Sequence, residues 1–248
     1  MLHYERQGSG PDIVLIHGFL ASGKVFEPLT TQLATRFTVT TIDLPGFGGS
    51  AREPVPDSVG ALAQLVAENI ESMGIERCSV LGHSLGAWIA LELSLDHAHL
   101  LDKAVLYGGS PDGICPDRFE PYEHSIERIR SQGIEDFGAD LAAEWFREGK
   151  AAAGYPLTLK AAEGVSADVA IAHVKTWNDW QTSHRLAQVA TPTLIVCGDG
   201  DRSTHPDLSI DMWRRIDGAQ LFILPNAGHA AHLEYPQVFN AVIEAFVA

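Results

Sequence analysis

The stretch V-L-G-H-S-L-G-A, residues 80–87, decides the fold because it sets a serine between two glycines directly after an apolar run. The run C-S-V-L-G (78–82) predicts a buried strand, and the apolar segment 87–95 predicts a buried helix. A strand that passes straight into a helix needs a sharp turn with a strained residue at its apex. Side chains two positions before and after the apex would come too close, which explains both glycines. The pattern therefore predicts that the hydroxyl of Ser84 projects above the carboxyl ends of the strands.

Similar apolar runs recur along the chain and alternate with helical patterns. Residues 58–73 carry apolar side chains at helical spacing between two of these runs. Alternation of this kind predicts β-α-β units and an α/β fold with a mostly parallel, doubly wound sheet. Because the runs are almost continuously apolar, we expect the strands to be buried on both faces. Besides 78–82, the predicted strands are residues 12–17, 37–43, 103–107, 193–198 and 220–225.

The alternation stops between residues 111 and 187, where no strand is predicted. Apolar residues fall at steps of three and four from Ile134 to Trp145, and again from Val169 to Trp177 after a possible helix cap at Ser166. We interpret 111–187 as a helical cap, or lid, inserted into a core of residues 1–110 and 188–248. Tryptophans at helical spacing more often belong to a core than to a binding surface, so this interpretation depends on where the segment is inserted.

Composition excludes several classes of partner. The 248 residues carry a net charge of −15, so binding to nucleic acid or to an anionic membrane surface is not expected. No apolar run is long enough to span a membrane, and the first residues lack the pattern of a secretion signal. We therefore expect a cytoplasmic protein. The three cysteines have no metal-binding spacing, and Cys78 and Cys197 are expected to be buried thiols.

A serine nucleophile needs a histidine base and a carboxylate that orients the base. In this topology the acid and the histidine should follow later strands, in that order. The strand 193–198 is followed by Asp199 and Asp201, and the strand 220–225 is followed by His229 after a tight A-G turn. His232 is a weaker candidate for the base. At this point Asp199 and Asp201 both remain open as the acid.

Five motifs in order make the chain resemble the α/β-hydrolase fold family over essentially its whole length. They are H-G-F (17–19), D-L-P-G-F-G-G-S (43–50), G-H-S-L-G (82–86), G-D-G-D (198–201) and G-H-A-A-H-L-E-Y-P (228–236). The resemblance implies a cap inserted after the sixth strand. The family's G-x-x-D pattern selects Asp201 over Asp199, and a minority arrangement in the family would instead select Asp112.

The resemblance also implies an oxyanion hole built from the backbone N–H groups of Phe19 and Leu85. His17 resembles a structural histidine of the family and is assigned no chemistry. A dinucleotide site is not expected, because Ala51 stands where G-x-G-x-x-G needs its last glycine. No H-E-x-x-H motif is present, so we expect neither a metal nor a cofactor.

The resulting prediction is a serine hydrolase that cleaves a carboxylic ester or lactone through an acyl-enzyme, with Ser84, His229 and Asp201 as catalytic residues. The expected partner is a small ester or lactone, and a homodimer is possible. Alternatives are cofactor-free perhydrolase or haloperoxidase-like activity, carbon–carbon bond hydrolysis, or a ligand receptor that keeps the triad. The net charge disfavours a dianionic substrate unless a cation such as Arg185 or Lys175 lines the pocket.

Overall fold

A computed structural model describes residues 1–115 and 118–248. Seven strands form one sheet in the order β1-β3-β2-β4-β5-β6-β7, in which every neighbouring pair is parallel except β1 and β3. The mostly parallel α/β sheet predicted from the apolar runs is confirmed. The strands are β1 (Tyr4–Gly8), β2 (Asp12–Ile16), β3 (Thr38–Ile42), β4 (Cys78–His83), β5 (Leu101–Tyr107), β6 (Thr193–Gly198) and β7 (Gln220–Leu224).

Helices connect and cover these strands. The central helix after Ser84 is buried from Leu85 to Ser94, which explains why its sequence is apolar on nearly all sides. The helices are α1 (Glu27–Leu33), α2 (Val59–Ser72), α3 (Leu85–Asp96), α4 (Tyr122–Gln132), α5 (Ile134–Glu144), α6 (Tyr155–Ala161), α7 (Ala167–Trp177), α8 (Pro206–Arg215), α9 (Ala231–Glu234) and α10 (Pro236–Val247).

The sequence patterns missed the edge strand β1. All five of its residues are exposed, so it lacks the apolar signature of a buried strand. It becomes a strand by pairing antiparallel with β3, in a register that sets Tyr4 opposite Ile42. Pairing with an existing sheet, and not local preference, thus forms this element.

The helical insertion lies between β5 and β6 and contains α4 to α7. Counted along this chain it follows the fifth strand, and the prediction that it follows the sixth is corrected. The number implied by the resemblance is one too high, because this sheet has five strands before the insertion, the antiparallel β1 and the four parallel strands β2 to β5. Ser166 is the N-cap residue of α7, as predicted, because its side chain accepts a hydrogen bond from the N–H of Val169 at 3.2 Å.

The cysteines are buried in the structure. Cys78, Cys115 and Cys197 are buried free thiols, as predicted for Cys78 and Cys197. Burial raises the pKa of Cys78 to about 12 and that of Cys197 to about 11, so neither provides a thiolate at neutral pH.

Within residues 1–115 and 118–248, no helix combines the length and apolarity that a membrane crossing requires.

Candidate active site

Ser84 lies between β4 and α3 in a backbone conformation that non-glycine residues rarely adopt, with φ of 56° and ψ of −117°. Its N–H donates to the carbonyl of Tyr107 at 2.8 Å, which ties the turn to the neighbouring strand β5. Strain of this kind persists only where the surrounding structure holds it. The strained turn predicted from G-x-S-x-G is therefore present at Ser84.

The two glycines of this turn are required by close backbone contacts. A Cβ atom on Gly82 would overlap the carbonyl of Gly86, and a Cβ atom on Gly86 would overlap the carbonyl of Ile16. The loop after β2 also approaches the serine, since a Cβ atom on Gly18 would lie 2.9 Å from Cβ of Ser84. Any side chain at these positions would force the turn or the loop to move.

His229 and Asp201 meet beside Ser84. Nδ1 of His229 lies 2.6 Å from Oδ2 of Asp201, and their side chains are 2% and 0% exposed. The other carboxylate oxygen, Oδ1, accepts hydrogen bonds from the N–H groups of Ser203 at 2.8 Å and Thr204 at 3.0 Å. A carboxylate held by backbone donors and aimed at one ring nitrogen fixes the orientation of the imidazole.

The other candidate acids lie elsewhere in hydrogen-bond networks. Oδ1 of Asp199 accepts from the N–H of Ala227 at 3.2 Å. Oδ1 of Asp112 accepts from the N–H groups of Thr182 and Ser183, both at 2.9 Å. Of the three aspartates considered, Asp201 is the one in contact with the ring of His229.

The weaker base candidate, His232, is buried behind His229. Its Nδ1 lies 3.0 Å from the hydroxyl of Tyr107, and its ring packs against Phe26 and Phe239. Burial, followed by repulsion from His229, lowers the pKa of His232 to about 3. The ring is therefore neutral at pH 7, and its contacts with Tyr107, Phe26 and Phe239 make it part of the packing behind His229.

Three side chains outside the proposed triad hold His229 and Asp201 in place. The hydroxyl of Tyr107 donates to the carbonyl of His229 at 2.7 Å, and Nε2 of His83 lies 3.0 Å from the same oxygen. The hydroxyl of Thr204 lies 2.8 Å from the carbonyl of Gly108 and 3.0 Å from Oδ2 of Asp201. The sequence around Asp201 predicts hydrogen bonds from the N–H groups that follow it, but not these contacts of the Thr204 hydroxyl.

Ser84 and His229 line a cavity of about 40 Å³, and both also line a smaller cavity of about 10 Å³. The walls of the larger cavity combine the carboxyl end of the sheet with side chains from the helical insertion and the loops that flank it. Space of this size accommodates a small group without movement of the walls. The remaining lining residues are Phe19, Leu85, Trp88, Arg118, Tyr122, Leu141, Trp145, Trp177, Ser203 and Thr204.

The predicted oxyanion donors, the N–H groups of Phe19 and Leu85, belong to residues that line this cavity. Leu85 is the first residue of α3, so its N–H has no acceptor within the helix. The ring of Phe19 packs edge-to-face on Phe47 and on Trp177. These contacts hold the loop after β2 against both the glycine-rich loop 43–50 and the helical insertion.

The cations suggested for an anionic substrate are not at the cavity. Arg185 contacts Glu92 at 3.4 Å and Asp96 at 2.5 Å, and Lys175 does not line the cavity either. The cation at this cavity is Arg118 instead, which sequence reasoning missed.

No group of three or more His, Cys, Asp or Glu side chains suited to a metal ion occurs in the part of the chain that the structure describes.

The fold and the geometry around Ser84 define an α/β hydrolase, and comparison with known proteins agrees. The chain belongs to the alpha/beta hydrolase family, whose model matches residues 13–242. The resemblance stated from the sequence motifs is thereby confirmed.

Individual comparisons give one relative in sequence and two neighbours in structure. A pimeloyl-(acyl-carrier protein) methyl ester esterase of Aeromonas hydrophila is 30% identical over 263 residues, covering 98% of each chain. An esterase from Exiguobacterium antarcticum superimposes with a TM-score of 0.90 at 21% identity, covering 99% of this chain and 95% of the other. The enol-lactonase from Burkholderia xenovorans has a TM-score of 0.88 at 19% identity, with the same coverage. The prediction of a carboxylic ester hydrolase fits the Aeromonas relative.

Proposed function

We propose that this protein is a serine hydrolase that cleaves a carboxylic ester or lactone through an acyl-enzyme on Ser84. The observation that carries the proposal is the buried contact of 2.6 Å between His229 Nδ1 and Asp201 Oδ2, next to a serine in a strained turn on the same cavity. A histidine that donates its Nδ1 proton to a carboxylate presents an unprotonated Nε2. That nitrogen is the base that the serine hydroxyl needs.

In the proposed reaction, Ser84 Oγ attacks the carbonyl carbon while His229 Nε2 takes the hydroxyl proton. The carbonyl oxygen becomes negative and accepts hydrogen bonds from the N–H groups of Phe19 and Leu85. The tetrahedral intermediate then breaks its bond to the alkoxy oxygen, which receives the proton from His229. Water attacks the acyl-enzyme with the same histidine as base, and collapse of the second intermediate releases the acid and restores Ser84.

We also propose the division into a core, residues 1–110 and 188–248, and a cap, residues 111–187. Tyr122, Trp145 and Trp177 support this division, because they come from the helical insertion and yet line the cavity with Ser84. A cap in this position would shield the acyl-enzyme from bulk water and limit the size of the substrate. Residues 116 and 117 of the proposed cap lie outside the described residues.

The Aeromonas relative and the cavity both favour a small group on one side of the scissile bond. The Aeromonas relative is named for a methyl ester, which has the smallest possible alcohol part. A cavity of about 40 Å³ also favours a small group beside Ser84. We therefore propose an ester of a small alcohol, or a small lactone, as the substrate.

Steady-state hydrolysis of p-nitrophenyl acetate, butyrate and octanoate tests the proposal. We expect wild-type turnover to be highest with the short esters, and Ser84→Ala to lose at least about 10³-fold in kcat. Ser203→Ala is the matched control, because Ser203 lines the same cavity but stands outside the proposed triad. Turnover that survives in Ser84→Ala and is lost in Ser203→Ala would refute the assignment of the nucleophile.

A further inference from the structure

Arg118 places a positive charge at the candidate active site of an otherwise acidic protein. Among the described residues that line the cavity with Ser84, it is the one with a permanently charged cationic side chain. The proposed reaction gives this guanidinium no task. A charge brought close to a reacting centre without a catalytic role is typical of substrate recognition.

The guanidinium of Arg118 is held in place by its neighbours. Nη1 donates to the carbonyl of Glu120 at 2.5 Å and to the hydroxyl of Ser125 at 3.2 Å. The guanidinium carbon lies 4.2 Å from the ring centre of Phe119 and 4.5 Å from that of Tyr122. Cation–π contacts on two rings fix the plane of the group and orient its remaining N–H donors.

The carboxylate of Glu120, whose backbone carbonyl accepts from Arg118, is engaged by other groups. Glu120 accepts from the hydroxyl of Ser125 at 2.6 Å through Oε1 and pairs with Arg128 at 2.9 Å through Oε2. Within residues 1–115 and 118–248, no carboxylate oxygen lies within 4.0 Å of an Arg118 nitrogen. Burial lowers the pKa of Arg118, and a desolvated guanidinium gains strongly from an anion that brings its own charge.

Resting on the proposed function, we propose that Arg118 is a specificity-determining residue that binds a carboxylate of the substrate. The substrate class is then a small ester or lactone that also carries one ionised carboxylate, such as a monoester of a short dicarboxylic acid. A guanidinium pairs with a carboxylate through two parallel hydrogen bonds, which orients the substrate as well as holding it. At a net charge of −15 the protein as a whole repels an anion, and a local cation such as Arg118 offsets that repulsion at the cavity.

Calorimetric binding to the Ser84→Ala protein tests this proposal without any need for turnover. The probes are monomethyl glutarate and methyl 5-oxohexanoate, in which an uncharged methyl ketone replaces the carboxylate. We expect Arg118→Gln to weaken the binding of monomethyl glutarate about 10- to 100-fold and to change that of methyl 5-oxohexanoate by less than about 3-fold. Arg118→Lys should fall between these variants, since it keeps the charge but not the planar donors.

Arg130→Gln is the matched control, because it removes the same charge from an exposed position in α4. It should leave the binding of both probes unchanged. Retained binding of the keto probe shows that Arg118→Gln is folded. Equal weakening of both probes, or no weakening of the charged one, overturns the proposal. The outcome is separate from that of the Ser84 kinetics, because esterase activity can depend on Ser84 whether or not Arg118 selects an anion.

Discussion

The side chains of Asp201 and His229 are joined by a contact of 2.6 Å between Oδ2 and Nδ1, although the residues stand 28 positions apart. They meet because β6 and β7 are parallel neighbours whose carboxyl ends lie at the same edge of the sheet. Ser84 follows the carboxyl end of β4 at that edge, on a cavity that it shares with His229. Catalytic groups of open α/β sheets typically gather at the carboxyl ends of the strands.

Asp201→Asn should lower kcat about 10³- to 10⁴-fold with little change in KM. An amide can present its N–H₂ group to His229, which favours the tautomer that carries its proton on Nε2 and cannot act as the base. Steady-state kinetics with p-nitrophenyl acetate measures this loss. Asp199→Asn is the matched control at the rejected position and should retain kcat within about 3-fold. A large loss in Asp199→Asn with a small one in Asp201→Asn would reverse the assignment.

Gly82→Ala should lower the free energy of unfolding by more than about 2 kcal/mol, because the new methyl group would overlap the backbone at Gly86. Gly60→Ala is the matched control in α2, where a Cβ atom meets nothing within 4 Å. It should raise the free energy of unfolding by about 0.5 kcal/mol through helix propensity. Urea denaturation of both variants measures the difference. Equal effects would contradict the steric account of the turn.

Stability should fall as the pH drops below about 6.5. Burial lowers the pKa of His173 to about 4 and that of His232 to about 3, so both rings fold in the neutral form. Between these values and the pKa of about 6.5 in the unfolded chain, the unfolded state binds more protons. Each of the two histidines then adds a slope of about 1.4 kcal/mol per pH unit to the free energy of unfolding.

Urea unfolding at intervals between pH 7.5 and 5 measures that slope. His232→Asn should reduce it, because the replacement does not titrate. His124→Asn, a change at an exposed position in α4, should leave the slope as in the wild type. A slope that is the same in His232→Asn and in the wild type would show that the buried ring does not couple folding to pH.

The sequence was informative where a local pattern has one structural meaning. The turn at Ser84 follows the apolar strand β4, and the turn before His229 follows β7. The order of elements therefore places both turns at the carboxyl ends of strands. The choice of Asp201 over Asp199 needed the family resemblance, because both follow β6 within three residues.

Other parts of the site depend on contacts between distant segments. Tyr107 lies inside an apolar strand, and the neighbouring residues in sequence do not predict that its hydroxyl reaches the carbonyl of His229. Arg118 has no distinguishing motif around it in sequence, and only the fold brings it to the cavity of Ser84. The cytoplasmic location and the possible homodimer stay predictions.

Covalent labelling tests the central claim, that Ser84 is the nucleophile, most directly. The wild-type protein would be treated with an alkyl p-nitrophenyl phosphonate, which phosphonylates activated serines, and then mapped by peptide mass spectrometry. We predict one phosphonyl group, carried by Ser84, and no label in Ser84→Ala. Labelling of Ser203 or Thr204, which line the same cavity, with Ser84 unmodified would contradict the proposed mechanism.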